Sequence, residues 1–178
     1  MDNDKQFPQR KQLRLKNFDY STPGAYFVTI CTHNRKCILS RIVREIGEST
    51  EIQLTEYGKI VDRLINTVPL PYRVTIDRYV IMPNHIHLII MVGDRGETRA
   101  IPKSPLQIRR SVISKIIGYI KMNASKEIHN TYGKIPVWQR GYHDHIIRNR
   151  DEYKKISRYI YENPIIWKYD CFFAEKQV

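Results

Sequence analysis

The feature that most constrains the fold is a pair of strongly β-forming segments separated by a two-residue turn. Val74 to Met82 and His85 to Val92 are rich in branched and aromatic residues, and only Pro83-Asn84 lies between them. Proline pushes the residue before it toward an extended conformation, and Asn tolerates the backbone of a tight turn. Two strands joined so closely pair as a hairpin. The sequence therefore predicts an antiparallel pair of strands within a larger sheet.

The other regular segments predict helices that pack on that sheet. Their order along the chain is β, β, α, β, β, α, β, α, which is typical of an α+β fold. We expect a ferredoxin-like sandwich with a mostly antiparallel sheet and helices packed on it. Composition and spacing place the additional strands at 25–33 and 51–54, a mixed strand and loop at 137–148, and helices at about 55–68, 108–128 and 150–163.

Composition indicates a folded and strongly basic chain. The 178 residues carry a formal charge of +12, while 42% are hydrophobic and 12 are tyrosines, which is too apolar for a disordered basic tail. Residues 1–20 are polar and basic, so we expect a basic N-terminal arm followed by one domain over residues 21–178. The charge favours a polyanionic partner, most simply nucleic acid.

Neither secretion nor membrane insertion is expected. The N-terminus lacks the apolar stretch of a secretory signal, and the longest apolar run, Leu88 to Val92, is far shorter than the roughly 20 residues that span a bilayer. Cys31, Cys37 and Cys171 form no CxxC pair, which argues against a disulfide scaffold or a cysteine-rich zinc module. We therefore expect a cytoplasmic protein with no membrane partner.

The second strand of the hairpin carries two histidines on one face. Alternate strand residues point the same way, so His85 and His87 project together. Two imidazoles placed in this way can converge on one divalent metal ion. Two packed or solvent-facing histidines are the alternative interpretation. The triplet His143-Asp144-His145 shows the same alternation between more polar flanks, and we regard it as the less rigid candidate.

The last predicted helix places a tyrosine and an asparagine on one face. Tyr159 and Asn163 are four residues apart, whereas Tyr161 lies about 200° around the helix from Tyr159. A tyrosine hydroxyl is a weak nucleophile at its ordinary pKa near 10, but a nearby cation or metal ion favours the phenolate. The Asn carbonyl oxygen is a hard ligand that suits Mg²⁺ or Mn²⁺. An ordinary packed tyrosine followed by an Asn-Pro helix end is the alternative interpretation.

Four ordered motifs give the chain a resemblance to a known family. MPNHIHLII, WQRGYHDHIIRN and RYIYENP, together with the opening AYFVTICTHNRKCIL, resemble the single-tyrosine HUH transposases, and within them most closely the REP-associated tyrosine transposases. The resemblance covers roughly residues 20–168 and rests on the combination of motifs rather than on any one of them. It implies an enzyme, a DNA transposase that cuts and rejoins single-stranded, hairpin-bearing DNA.

The resemblance also implies a role for each matched residue. His85, His87 and Asn163 would bind a divalent metal, Mg²⁺ or Mn²⁺, and Tyr159 would attack DNA to give a 5′-phosphotyrosine link and a free 3′-hydroxyl. Members from classical insertion sequences have Gln at the third-ligand position, and Asn163 departs from them but fits the REP-associated branch. His145 would be structural or would contact DNA. In some members a partner subunit supplies the tyrosine helix, so the resemblance leaves a homodimer open.

Single-stranded DNA needs a cationic groove and flat side chains on which bases stack. Each candidate is also compatible with an ordinary solvated charge or a core aromatic. The main DNA-binding candidates are Arg35, Lys36, Arg109, Arg110, Trp138, Arg140, Tyr142, His145 and Arg148. Further candidates in the same two classes are Lys11, Arg14, Tyr26, Lys115 and Arg150.

Two other functions compete with strand transfer. One is a module that binds structured nucleic acid without cleaving it. The other is a metal-dependent phosphodiesterase that uses a metal-bound water held by histidines 85, 87, 143 and 145. The chain has no HExxH motif and no dense carboxylate cluster, which counts against the hydrolase.

Overall fold

A central antiparallel sheet carries the helices in this computed structural model, which describes residues 22–44, 50–71, 73–93 and 111–173. The predicted arm at 1–20, with Lys11 and Arg14, lies outside the described residues, as do Arg109 and Arg110. The strands are β1 (Gly24–Cys31), β2 (Ser40–Arg44), β3 (Thr50–Leu54), β4 (Val74–Ile81), β5 (His85–Val92) and β6 (His143–Ile147). The α-helices are α1 (Glu56–Thr67), α2 (Val112–Tyr132) and α3 (Arg150–Glu162).

The four strands of the central sheet pair in the order β4-β5-β1-β6, and every neighbouring pair is antiparallel. The predicted hairpin is confirmed as β4 and β5. Helix α1 connects β1 and the β2–β3 pair to β4, and α2 lies between β5 and β6 in sequence, as expected for a ferredoxin-like α+β fold. The predicted fold class is therefore confirmed.

One strand was not predicted from the sequence. β2 pairs with β3 as a separate two-stranded sheet, with Ile42 opposite Ile52. The segment is only five residues long and has arginine at two of them, so neither alternation nor composition marks it. Its two apolar residues, Ile42 and Val43, are only half-buried, and pairing with β3 defines the strand.

The two faces of the sheet have different layers. Ile86, Leu88 and Ile90 of β5 are fully buried in the core that α1 and α2 cover. Ile89 points the other way and packs with Ile160 of α3. The period-two alternation of β5 thus places its histidines on the face that carries α3. Among the described residues, no helix is both long and apolar enough to cross a bilayer.

The packing of α1 gives a stability prediction at Gly58. A Cβ atom added there would lie 2.0 Å from the backbone oxygen of buried Leu39, so the backbone must shift. We expect Gly58→Ala to lower the free energy of unfolding by about 1–3 kcal/mol. Gly118 in α2 has nothing within 4 Å of the same added atom. Gly118→Ala should raise the free energy by about 0.5–1 kcal/mol through helix propensity. Urea unfolding of both variants measures the difference, and equal effects would contradict this packing.

Candidate active site

The two histidines of β5 lie side by side in the interior. His85 is 0% exposed and His87 is 1% exposed, and their ring centroids are 4.4 Å apart. Each ring uses Nδ1 in a hydrogen bond: His85 with Asn84 Oδ1 and His87 with Thr29 Oγ1, both at 2.9 Å. These bonds fix the ring orientations, as in metal sites where the second ring nitrogen is anchored.

The neighbours of Asn84 settle the tautomer of His85. Asn84 donates from Nδ2 to the carbonyl oxygens of Phe172 (2.8 Å) and Arg35 (3.2 Å), so Oδ1 is the atom that faces His85. The His85 Nδ1–H therefore donates, and Nε2 carries a free lone pair. The hydroxyl of Thr29 allows the same arrangement for His87.

At this site, three buried polar atoms have no hydrogen-bond partner among the residues that the structure describes. They are His85 Nε2, His87 Nε2 and Asn163 Oδ1. A buried polar atom without a partner costs free energy, so three together need a physical explanation. All three are lone-pair donors of the kind that bind a divalent ion. The residues present therefore fit a metal ion.

Burial keeps both imidazoles neutral. It lowers the pKa of His85 to about 4; nearby Asp170 opposes this shift and Arg35 adds to it. It also lowers the pKa of His87 far below the ordinary value, and His85 contributes further. Neutral imidazole is the form that binds a metal, so both histidines are ready as ligands at neutral pH.

These shifts predict how stability depends on pH without metal. The folded pKa values lie below the unfolded value of 6.5, so the unfolded chain binds more protons between them. The free energy of unfolding should therefore fall as the pH falls below about 6.5, by up to about 1.4 kcal/mol per pH unit for each histidine. Unfolding in EDTA across pH 5–7.5 measures this.

Matched variants isolate the cause. A His85→Gln, His87→Gln double variant should lose most of the slope, whereas His143→Gln at an exposed position should keep it. An unchanged slope in the double variant would show that other groups titrate.

Helix α3 brings Tyr159 to the histidines. The Tyr159 ring lies 5.2 Å from the His87 ring and edge-on to Phe27 at 6.2 Å. Asn163 is the first residue after α3 and keeps helical backbone angles (φ −53°, ψ −41°), so the four-residue row continues past the end of the helix. Asn163 is 0% exposed. All four residues come together within one chain.

The helix that carries Tyr159 starts at a strong cap. Asn149 Oδ1 accepts the Glu152 N–H at 2.9 Å, and the Glu152 carboxylate accepts the Arg148 N–H at 2.7 Å. Glu152 also contacts His145 Nε2 at 2.7 Å, which ties β6 to α3. His145 thus has a structural partner, which agrees with the first of the two roles expected for it, a structural role or a contact with DNA.

Asp170 belongs to this site and was missed from the sequence. Its Oδ2 accepts hydrogen bonds from Tyr159 Oη at 2.9 Å and from Asn163 Nδ2 at 2.7 Å. The potential ligand atoms of Asp170, His85 and His87 all lie within 4.8 Å of one another. Burial raises the pKa of Tyr159, and the hydrogen bond to Asp170 raises it further. No periodicity marks Asp170, because it lies beyond Pro164 in a segment that folds back.

The four-histidine hydrolase site is not formed. His143 and His145 lie on β6, which is separated from β5 by β1. Among the described residues, the group of potential ligand atoms that lie within 4.8 Å of one another is His85, His87 and Asp170, and it includes neither histidine of β6. His143 and His145 are exposed, unlike the buried pair of β5. The four histidines of the hydrolase alternative are therefore not gathered at one site in this structure.

The cationic DNA-binding candidates are at the surface. Arg35, Lys36, Lys115, Arg140, Arg148 and Arg150 are exposed. The Arg35 guanidinium lies 5.2 Å from the centre of the Phe172 ring and donates to the Cys171 carbonyl oxygen at 3.1 Å. A contact with DNA stays a prediction for each of these cations.

The aromatic candidates differ in exposure. Trp138 is half-buried and donates its Nε1–H to the Lys121 carbonyl oxygen at 3.1 Å. Tyr142 is half-buried with Oη 2.9 Å from Ser114 Oγ. Both retain some exposed surface, and base stacking on them stays a prediction. Tyr26 is 0% exposed in the core, so the expectation that it stacks a base was wrong.

Comparison with known proteins gives relatives in sequence and in fold, while no family model matches. An uncharacterized protein of Haemophilus influenzae is 32% identical over 176 residues, which cover 93% of this chain and 94% of that protein. A second Haemophilus influenzae protein, provisionally named a REP-associated tyrosine transposase, is 26% identical over 155 residues, 83% of this chain and 73% of that protein.

One solved structure shows the same fold. It is a REP-associated tyrosine transposase bound to a REP hairpin, with a TM-score of 0.54 and 20% identity. The match covers 83% of this chain and 70% of that chain.

Proposed function

We propose that this chain is a transposase that cuts and rejoins single-stranded, hairpin-bearing DNA. The chain belongs to one family with the uncharacterized Haemophilus influenzae protein, and it resembles the REP-associated tyrosine transposases in sequence and fold. The observation that carries the proposal is the set of three unpaired buried atoms, His85 Nε2, His87 Nε2 and Asn163 Oδ1, beside Tyr159. Its substrate is DNA, and we place the reaction in the cytoplasm.

The proposal assigns these three atoms to a divalent metal ion, Mg²⁺ or Mn²⁺. An ion held there would polarise the scissile phosphate and stabilise the charge that develops on its oxygens. The protein supplies neutral ligands in a buried pocket, where that stabilisation is stronger than in water. Asn84 and Thr29 hold the two imidazoles in the orientation that leaves Nε2 free.

Tyr159 is the proposed nucleophile. Its Oη would attack the phosphorus, forming an O–P bond while the bond from phosphorus to the 3′-oxygen breaks. The products are a 5′-phosphotyrosine and a 3′-hydroxyl, and overall the tyrosine proton ends on the 3′-oxygen. Attack by another 3′-hydroxyl on the phosphotyrosine reverses the bond changes and rejoins the DNA. The phosphate link preserves the bond energy, so no external energy source is needed.

The partner in this proposal is a single strand that contains a hairpin. Support comes from the +12 charge, from the exposed cations described above, and from the related transposase that was solved with a REP hairpin. Tyr159 packs beside His87 of its own chain, which supports a site assembled without a second copy. A homodimer stays a prediction.

The covalent adduct tests the proposed function. A hairpin-bearing oligonucleotide carries different fluorophores on its two ends and is incubated with protein and Mn²⁺. We expect the 3′-end label to migrate with protein on a denaturing gel, while the 5′-end label appears on a shorter free strand. Salt-sensitive hairpin binding with no adduct would instead favour the binding module. Cleavage without an adduct would favour a hydrolase.

A further inference from the structure

Asp170 is held firmly against the site by its own segment. Asp170 is only 8% exposed, and its carboxylate Oδ1 accepts the Phe172 N–H at 2.6 Å. The carbonyl oxygen of Phe172 accepts from Asn84 Nδ2, in the turn that leads into β5. Arg35 donates a hydrogen bond to the carbonyl oxygen of Cys171, the residue that follows Asp170. The position of the carboxylate is therefore fixed by the same turn that anchors His85.

A carboxylate in this place decides which way the Asn163 amide faces. An ionised carboxylate only accepts hydrogen bonds, whereas an amide side chain donates from Nδ2 and accepts at Oδ1. Nδ2 must therefore face Asp170, and it lies 2.7 Å from Oδ2. Oδ1 is left on the opposite side of the amide, where it has no partner among the described residues. Turned by 180°, the amide would present N–H groups, which cannot bind a metal.

The same oxygen fixes the tyrosine. Oδ2 accepts the Tyr159 hydroxyl at 2.9 Å, so one acceptor joins the third ligand to the nucleophile. A charged acceptor makes both bonds stronger than a neutral one would. Removal of Asp170 would free two side chains at once.

We propose that Asp170 is a positioning residue: its carboxylate orients the Asn163 amide with Oδ1 toward His85 and His87 and holds the Tyr159 hydroxyl beside them. This inference rests on the proposed function, which assigns a metal ion and a nucleophile to the site. It differs from direct metal binding by Asp170, which the 4.8 Å spacing of the ligand atoms would also permit. Positioning by Asp170 and direct metal binding by Asp170 predict different Mn²⁺ affinities when residue 163 has no amide to orient.

A double-mutant cycle separates the roles through Mn²⁺ affinity, measured by calorimetry on the full chain without DNA. Asp170→Asn should weaken Mn²⁺ binding by about tenfold or more, since a neutral amide no longer selects one orientation of Asn163. In the Asn163→Asp background both atoms at the tip of residue 163 are oxygens. There, Asp170→Asn should leave the affinity unchanged or tighter, because no orientation has to be chosen. Asp151→Asn, an exposed acidic residue of α3, controls for net charge and should have no effect.

Each result bears on the inference. An equal loss in both backgrounds would show that Asp170 is itself a ligand, and tighter binding in both would show that it obstructs the site; either overturns the positioning role alone. Thermal unfolding confirms that each variant folds, and Asp170→Glu provides a second variant that keeps an acceptor. If the wild-type chain bound Mn²⁺ no better than a His85→Ala, His87→Ala variant, the metal site of the proposed function would fall together with this inference.

Discussion

Replacing Tyr159 with phenylalanine should abolish the covalent DNA adduct, with a rate loss on the order of 10⁴-fold or more. The substitution removes only the hydroxyl, and that oxygen is the atom proposed to form the bond to phosphorus. The ring that packs at 5.2 Å from His87 remains, so the fold and the metal site should be retained. The measurement is the initial rate of adduct formation on the hairpin oligonucleotide in Mn²⁺.

Tyr161→Phe is the matched control for this prediction. Tyr161 lies on the same helix but is 76% exposed and faces away from the sheet. Its substitution should leave the rate within about twofold, as for surface changes in general. If Tyr159→Phe formed the adduct as fast as the wild type, the nucleophile would be another residue.

Removing both histidine ligands should have the second largest effect. A His85→Ala, His87→Ala variant should bind Mn²⁺ at least about 100-fold more weakly, because a loss of 10- to 100-fold is already usual for residues that only support a ligand. Two of the three unpaired buried atoms are lost in this variant. Adduct formation should fall below detection for the same reason. Calorimetric titration of the DNA-free chain measures the affinity.

His143→Ala is the appropriate control, since it removes a histidine that lies on another strand and is exposed. Its Mn²⁺ affinity should equal that of the wild type. An affinity within a fewfold of wild type in the double variant would place the metal elsewhere. Circular dichroism of both variants checks that the sheet is intact.

Local patterns predicted the parts of the site that lie on single elements. The period of two in a strand put His85 and His87 on one face, and the 3.6-residue period put Tyr159 and Asn163 on one row. Both patterns are fixed by backbone geometry, so no knowledge of packing was required. The hairpin of β4 and β5 was likewise predictable, because its turn leaves no other connection.

Asp170 shows where this reasoning ends. Its contact with Asn163 spans seven residues, but Pro164 ends the helical pattern between them. A fold-back of this kind is decided by tertiary packing, here by Asn84, Arg35 and the ring of Phe172. Neither composition nor spacing contains that information. The one site residue with a formal negative charge was therefore invisible in the sequence.

Exposure of the aromatic residues was also beyond the sequence. Tyr26 and Tyr142 were both candidates for base stacking, yet Tyr26 is fully buried and Tyr142 only half-buried. Tyr26 lies on β1, which has a strand on each side and a layer on its face, whereas Tyr142 immediately precedes β6. Burial follows from position in the sheet, and residue type alone does not determine it.

Mass-spectrometric mapping of the adduct tests the central claim most directly. The protein is incubated with the hairpin oligonucleotide and Mn²⁺, then digested with nuclease and protease. We predict one modified peptide, in which the hydroxyl oxygen of Tyr159 is bonded to the 5′-phosphate of a nucleotide. No modified peptide, or a phosphate on any other residue such as Tyr161, would contradict the proposed function.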